Sequence, residues 1–295
     1  MSGAFFNNIN MMKDIILAVV LLIILALIWV AIFDTNRFTV SNYKYKNRKI
    51  KKPFRAVVIS DLHNKKYGPN NDRLVEAVRK EHPDIVLIAG DIMNGHPSAD
   101  LDTAFELLEK LAPEFPIYYG NGNHETRMNL YREDYGNRYD EFTDKLKELN
   151  IHHLVNSREI LDEYGVEIIG LDLARNHYIR FKPEPIEKGE LDKCLGKPDS
   201  KKYSILIAHN PYFFKDYAEY GADLVLSGHV HGGIVRIPII NKGVLSPNIA
   251  FFPKYDGGEF TEGKASMVVS RGLGAHTLPF RMFNPGDLVV IDFER

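Results

Sequence analysis

The sequence predicts an α/β domain of two packed sheets flanked by helices, preceded by one transmembrane helix. Three observations predict it. Short apolar runs alternate with amphipathic stretches from Phe54 to Leu149, the pattern of βαβ units on a largely parallel sheet. From Glu167 onward strand-like runs continue with fewer helices between them, which supplies a second sheet. Ahead of both, Ile15 to Phe33 is uniformly apolar and uncharged.

That first run, IILAVVLLIILALIWVAIF, would span about 28 Å as a helix at 1.5 Å per residue, close to the ~30 Å hydrocarbon core. A cleaved signal has an apolar stretch of about 7–15 residues and a small-x-small site, and neither fits here. The expectation is a retained single span at 15–33, after a short tail at 1–14 and before a basic linker at 34–53. Arg37, Lys44, Lys46, Arg48, Lys49, Lys51 and Lys52 follow the span, against Lys13 before it. This bias favours a cytoplasmic face for the rest of the chain. The same charges could hold the linker on anionic headgroups.

The remainder, 54–295, reads as one domain. Phe54–Ser60, Ile85–Ala89 and Pro116–Tyr119 are expected strands, with helices over 71–82, 101–111 and 139–149. Glu167–Leu171, Ser204–Ala208, Leu224–Ser227, Met267–Ser270 and Leu288–Phe293 are the later strands. The stretch 237–258 is rich in Pro, Gly and Asn and reads as an extended loop. The formal net charge of −2 argues against a nucleic-acid partner, which usually calls for a basic excess. One cysteine, Cys194, excludes an intrachain disulfide.

The chemistry is concentrated where strands end. Asp61-Leu62-His63 follows the first strand, Gly90-Asp91 the second and Gly122-Asn123-His124-Glu125 the third. His209-Asn210-Pro211 and Gly228-His229-Val230-His231 follow two strands of the second half. Ligands in α/β sheets bind beyond the carboxyl ends of strands. Five strand ends thus deliver metal-capable side chains to one edge. In D-x-H and H-x-H, alternate residues of an extended segment share a side, so each pair can grip one ion. Carboxylate with imidazole suits Mn, Fe or Zn.

In this order, D-x-H, G-D, G-N-H-E, H and G-H-x-H resemble the calcineurin-like metallophosphoesterases, over most of Phe54 to the C-terminus. The stretches AHNP, GHVHGGIVRIP and VSRGLG resemble a bacterial membrane-associated branch of phosphodiesterases and lipid-sugar pyrophosphatases. The resemblance implies a metallophosphoesterase fold and two divalent ions. Asp61, His63 and His231 would hold one ion, Asn123, His209 and His229 the other, with Asp91 bridging them. A water between the ions is the implied nucleophile. His124 is the implied catalytic residue, stabilising the transition state or donating a proton to the leaving oxygen. The implied reaction is hydrolysis of a phosphodiester or phosphoanhydride, on a substrate that could be lipid- or nucleotide-linked. A broad nucleotide phosphodiesterase merely tethered to the membrane is one alternative. A non-catalytic scaffold that keeps the fold is the other.

The sequence departs from the phosphoprotein-phosphatase branch after Asp91. Asn94 stands where an Asp would orient the catalytic histidine, and the phosphate-gripping Arg is absent, which argues against a protein phosphatase. Arg271 and Arg281 are candidate substrate contacts, or ordinary salt-bridge partners. His152, His153 and His177 read as satisfied core residues, and His276 as a loop residue that could reach the site. Tyr212, Phe213, Phe214, Phe251 and Phe252 could line an acyl channel or form plain core.

Overall fold

The computed structural model describes residues 2–180, 182–247, 250–275 and 278–295. An apolar helix α1 (Ser2–Thr35) leads into two six-stranded sheets. The first sheet has the order β1 (Phe38–Lys46), β14 (Gly286–Glu294), β2 (Phe54–Ile59), β3 (Ile85–Ala89), β4 (Ile117–Gly120) and β5 (His152–Leu154). The second runs β12 (Gly258–Glu262), β13 (Ala265–Val269), β9 (Leu224–Ser227), β8 (Tyr203–Ala208), β7 (Val166–Leu171) and β6 (Ser157–Leu161). A small ribbon pairs β10 (Arg236–Ile237) with β11 (Lys242–Gly243).

Strand parity sorts the core. Successive side chains of a strand point to opposite faces. Ala56 and Val58 of β2 therefore pack with Ile205, Ile207 and Leu226 between the sheets. Val57 and Ile59 pack outward, in one cluster with Leu74, Leu107 and Phe142. Those three belong to α2 (Asp72–Lys80), α3 (Asp102–Leu111) and α6 (Arg138–Glu148), the last preceded by the short α4 (Asn123–Leu130) and α5 (Arg132–Tyr135). On the far side α7 (Glu190–Leu195) and α8 (Phe214–Tyr220) cover the second sheet. The result is the two-sheet sandwich with flanking helices expected from the sequence.

The stretch 34–53 is not a linker. Phe38–Lys46 pairs in parallel with β14 along its whole length, from Phe38 opposite Gly286 to Lys46 opposite Glu294. Three of its basic residues pair with residues beyond it: Lys44 with Glu294, Lys49 with Asp223 and Lys52 with Glu163. Because β14 runs antiparallel to β2, β1 also runs opposite to β2. The end of α1 therefore lies at the edge of the sheet where β2, β3 and β4 finish. Asp34 is buried there and accepts from the Asn284 N–H at 3.2 Å, while Thr35 Oγ1 accepts from the Arg281 N–H at 2.9 Å. The apolar helix is fastened to the domain rather than hung from it.

Candidate metal centre

Each predicted site residue stands directly beyond a strand. Asp61 and His63 follow β2, Asp91 follows β3, and His209 follows β8. His229 and His231 follow β9, and Asn123 and His124 open α4 (Asn123–Leu130) after β4. The chain turns sharply at these ends. Asp61 (φ 50°), His63 (46°), Asp91 (55°), His229 (70°) and His231 (54°) all lie in the left-handed region. Such backbone costs on the order of 1–3 kcal/mol per residue and clusters at functional sites. Gly90 (φ 83°) makes the turn before Asp91, and a Cβ there would sit 2.4 Å from the Gly122 nitrogen.

The two sheets are stitched together at this edge. The His229 N–H donates to both oxygens of Asp61, at 3.0 and 3.1 Å. His209 Nδ1 lies 2.6 Å from the Ala89 carbonyl, so the Nδ1–H donates and Nε2 is left as a ligand. The Asp91 carboxylate accepts from the His124 N–H at 2.9 Å.

Three ligand groups result, and they separate His229 from His231, because both residues are left-handed and the H-x-H stretch is not the extended segment that would aim the pair at one ion. Asp61, His63 and His231 form one; Asp91, His209 and His229 a second; His63, Asp91 and His124 a third. His231 Nε2 is 3.2 Å from Asp61 Oδ1 and 3.1 Å from His63 Nε2. Two nitrogens bound about 2.1 Å from one ion at near-tetrahedral or octahedral angles would stand about 3.0–3.4 Å apart, so this spacing suits a shared cation. Asp91 Oδ2 sits 3.2 Å from His209 Nε2, 3.7 Å from His124 Nε2 and 3.9 Å from His63 Nε2. Asn123 Oδ1 is buried with no hydrogen-bond partner among the described residues, as a ligand oxygen would be. The donor set therefore fits divalent cations.

The electrostatics point the same way. Burial would raise the Asp61 and Asp91 carboxyls, yet the surrounding imidazoles hold both well below the usual carboxylate range. Burial would lower His209, but Asp91 and Asp61 push it strongly upward. Two enclosed carboxylates demand positive charge between them, which divalent ions can supply.

Some of the other residues depart from expectation and some meet it. Asn94 is exposed and its Oδ1 accepts from the His96 N–H in its own loop. The wall behind His124 is Gly95, where a Cβ would meet the ring at 2.1 Å. Arg281 is fully buried and donates to the carbonyls of Gly274, Gly272 and Arg271, so it binds backbone and not substrate. Arg271 pairs with Asp287 at 3.1 Å. The His177 Nδ1–H donates to the Glu184 carbonyl at 2.8 Å, and its Nε2 lies 3.2 Å from Glu190 Oε1 at the start of α7, as in a satisfied core residue. Phe213 and Phe214 belong to the core under the second sheet. Tyr212, Phe251 and Phe252 line a cavity of about 340 Å³ with Tyr178 and Lys254. His276 lies outside the described residues.

Two functional contributors were not anticipated. Tyr178 places its ring 5.3 Å from that of His229 and 6.5 Å from that of His209, joining the cavity to the centre. Glu125 is fully buried and accepts from the N–H groups of Asp91, Ile92 and Gly122 and from the Tyr119 hydroxyl. Its place three residues into a helix, after a glycine N-cap, was the available signal. Gly122 is equally constrained, since a Cβ there would lie 2.2 Å from Asp91 Oδ1. Gly122→Ala is expected to displace that carboxylate and weaken Mn²⁺ binding by about 10- to 100-fold. Calorimetric titration of the folded variant with Mn²⁺ checks this.

Residues 54–233, more than half of the chain, match the family model described as calcineurin-like phosphoesterase. The chain is 30% identical over 249 residues to a metallophosphoesterase of Campylobacter jejuni, covering 83% of this chain and 60% of that one. It is 28% identical over 250 residues to a zebrafish transmembrane protein with a metallophosphoesterase domain, covering 80% and 52%. It is 24% identical over 233 residues to the phosphodiesterase YaeI of Escherichia coli, covering 76% of each. The chain thus spans little more than half the length of the first two relatives. With the motif order, the two-sheet fold and the matched segment in agreement, this chain belongs to the calcineurin-like phosphoesterase family.

Proposed function

We propose that the chain hydrolyses phosphodiester or phosphoanhydride bonds with two divalent metal ions, while α1 spans a membrane and holds the site at its surface. The observation that carries this reading is Asp91, which joins His209 and His229 in one ligand group and His63 and His124 in another. In this reading Asp61, His63 and His231 hold one ion, and Asn123, His209 and His229 hold the other, with Asp91 common to both. Bound Mn, Fe or Zn would supply a nucleophilic water at neutral pH and neutralise the phosphate oxygens.

The chain's own residues do the rest. His124 stands at the start of α4 with its Nε2 3.7 Å from Asp91 Oδ2. In this reading it is the group that gives the leaving oxygen a proton. Tyr178 fixes the His229 ring by edge contact and forms a wall of the adjoining cavity, which would take the leaving group. The apolar α1, a candidate span at Asn10–Thr35, and the transmembrane relative support a membrane location. The excess of basic residues after the span favours a cytoplasmic site under the positive-inside rule.

The test is turnover of a generic phosphodiester by the full-length protein in detergent, with and without Mn²⁺. Metal-dependent turnover is expected; none with any divalent ion, in folded protein, would remove the reading. His124→Ala is expected to lower kcat by about 10²–10⁴-fold at unchanged metal content. Metal lost along with activity would make His124 a ligand instead.

A further inference from the structure

We propose that the segments 237–241, 250–252 and 278–283 form a second membrane-binding surface, inserting into the leaflet from which α1 emerges. This rests on the reading of α1 as a membrane span, but not on the hydrolase reading.

The placement follows from hydrogen bonds. Asp34 and Thr35, at the end of α1, hold the backbone of Asn284 and Arg281. From there a ladder leads outward. Met282 exchanges backbone bonds with Ile234 and Arg236, Val244 donates to Val235, and Phe252 donates to Val244. At about 4.8 Å per ladder step, Phe252 lies roughly 15 Å from the Met282 strand. All of this is at the strand-end edge that α1 leaves from and the candidate centre opens on.

The surface so built is apolar. Ile239 is 94% exposed, Ile240 64%, Phe251 71% and Phe252 56%. The three segments contain one charged residue, Arg281, and it is buried. Soluble surfaces rarely leave large apolar side chains so clustered and bare without a partner.

The choice of lipid as that partner comes from α1 itself. Pro279, Phe280 and Met282 form a groove of about 460 Å³ with Ile24, Leu27 and Ile28 of the helix. Ile24 lies about three turns before Thr35, within the part of α1 that a bilayer would cover. A loop seated beside that turn is already at the depth of hydrocarbon. Lys254, exposed at the margin of the patch, suits the anionic headgroup level. The candidate centre and its cavity, walled by Phe251 and Phe252, would then open at the lipid surface and receive phosphoesters with an apolar part directly from the bilayer.

Trp29 is the chain's one tryptophan, which makes fluorescence decisive. The full-length protein carrying Trp29→Phe with Ile239→Trp or with Phe251→Trp is placed in vesicles of phosphatidylcholine and phosphatidylglycerol. Acyl-brominated lipids are expected to quench both probes at least twofold. Ile160→Trp, in the same background, is expected to stay unquenched, because Ile160 lies on β6 opposite Glu167, at the other edge of its sheet. Unquenched, water-like emission at 239 and 251 would overturn the proposal. So would blue-shifted emission without quenching, which would mean that a second protein copy covers the patch. The native Trp29 separates the causes. Quenching of Trp29 alone overturns only the second contact, and quenching at neither place overturns the span as well.

Discussion

Asp91→Asn is expected to remove bound metal and turnover together. The substitution keeps the size of the side chain and changes what it can do. Oδ1 accepts from the His124 N–H, and Oδ2 is the atom that faces His209, His124 and His63. If the amide keeps its oxygen on His124, its NH₂ points at the three imidazoles, and an amide nitrogen cannot ligate a cation. If it flips, the NH₂ opposes the His124 N–H, donor against donor. Either way one carboxylate charge leaves a site that holds two. Turnover should fall by roughly 10²–10³-fold or more, the scale of losing one electrostatic group from such a site. A second readout is independent of catalysis. A ligand at a hundred times its Kd stabilises the native state by about 2.7 kcal/mol. Mn²⁺ should therefore raise the Tm of the native protein and leave that of the variant nearly unmoved. Two ions per chain, with the native Tm shift, would show that Asp91 is not the shared ligand.

The motif residues were legible because the chemistry is local in sequence. D-x-H, G-D, G-N-H-E, H and G-H-x-H each sit at the end of a strand whose apolar run marks it, so strand and ligand are read together. What was hidden is what depends on distant partners. β1 (FTVSNYKYK) looks like a charged linker, because an edge strand shows half its side chains to water and its lysines dominate the composition. Only the parallel pairing with β14, some 250 residues later, makes it a strand. Polar β12 escaped because it too is an edge strand with half its side chains toward water, although its partner β13 follows directly. Phe213 and Phe214 could be read as channel or core, and they are core because the second sheet needs a cover. Arg281 is read as a substrate cation until its five-donor fork is seen closing on backbone carbonyls. The turn strain at Asp61, His63, Asp91, His229 and His231 has no sequence signal beyond the tolerance of Asp and His for that conformation.

The pairing of β1 with β14 also constrains the proposed membrane contact. A flexible basic linker would let the domain tumble beneath its anchor. If α1 spans a membrane as proposed, a helix fastened at Asp34 and Thr35, and followed closely by the edge strand β1 of the first sheet, would fix which edge faces the bilayer. That edge is the one where the candidate ligands gather, so in the proposed reading location and chemistry would be coupled through the hydrogen bonding of one strand pair.

Glu125→Gln is expected to loosen the centre without touching a single predicted ligand. Glu125 lies beneath the site as a hub of four donors. Oε1 receives the Ile92 N–H and the Tyr119 hydroxyl, and Oε2 receives the N–H groups of Asp91 and Gly122. These bonds tie the turn that carries Asp91 to the turn that carries Asn123. A glutamine has one oxygen and one NH₂. With the NH₂ on the Oε2 side, two backbone N–H groups lose their acceptor and face a donor. With it on the Oε1 side, the Tyr119 hydroxyl can rotate to accept, but the Ile92 N–H is still orphaned. A buried unsatisfied donor costs about 1–3 kcal/mol, so the apo protein should lose stability on that scale. The looser Asp91 turn should also weaken metal binding by about 10- to 100-fold, as happens when the groups supporting metal ligands are removed. Tyr119→Phe makes the control, since it deletes one of the four donors and leaves the carboxylate to hold both turns. It should lower the Tm slightly and leave Mn²⁺ affinity close to native. If Glu125→Gln lowers the Tm while Mn²⁺ affinity is unchanged, Glu125 only braces the fold, and the position of Asp91 is set by the strained turn alone.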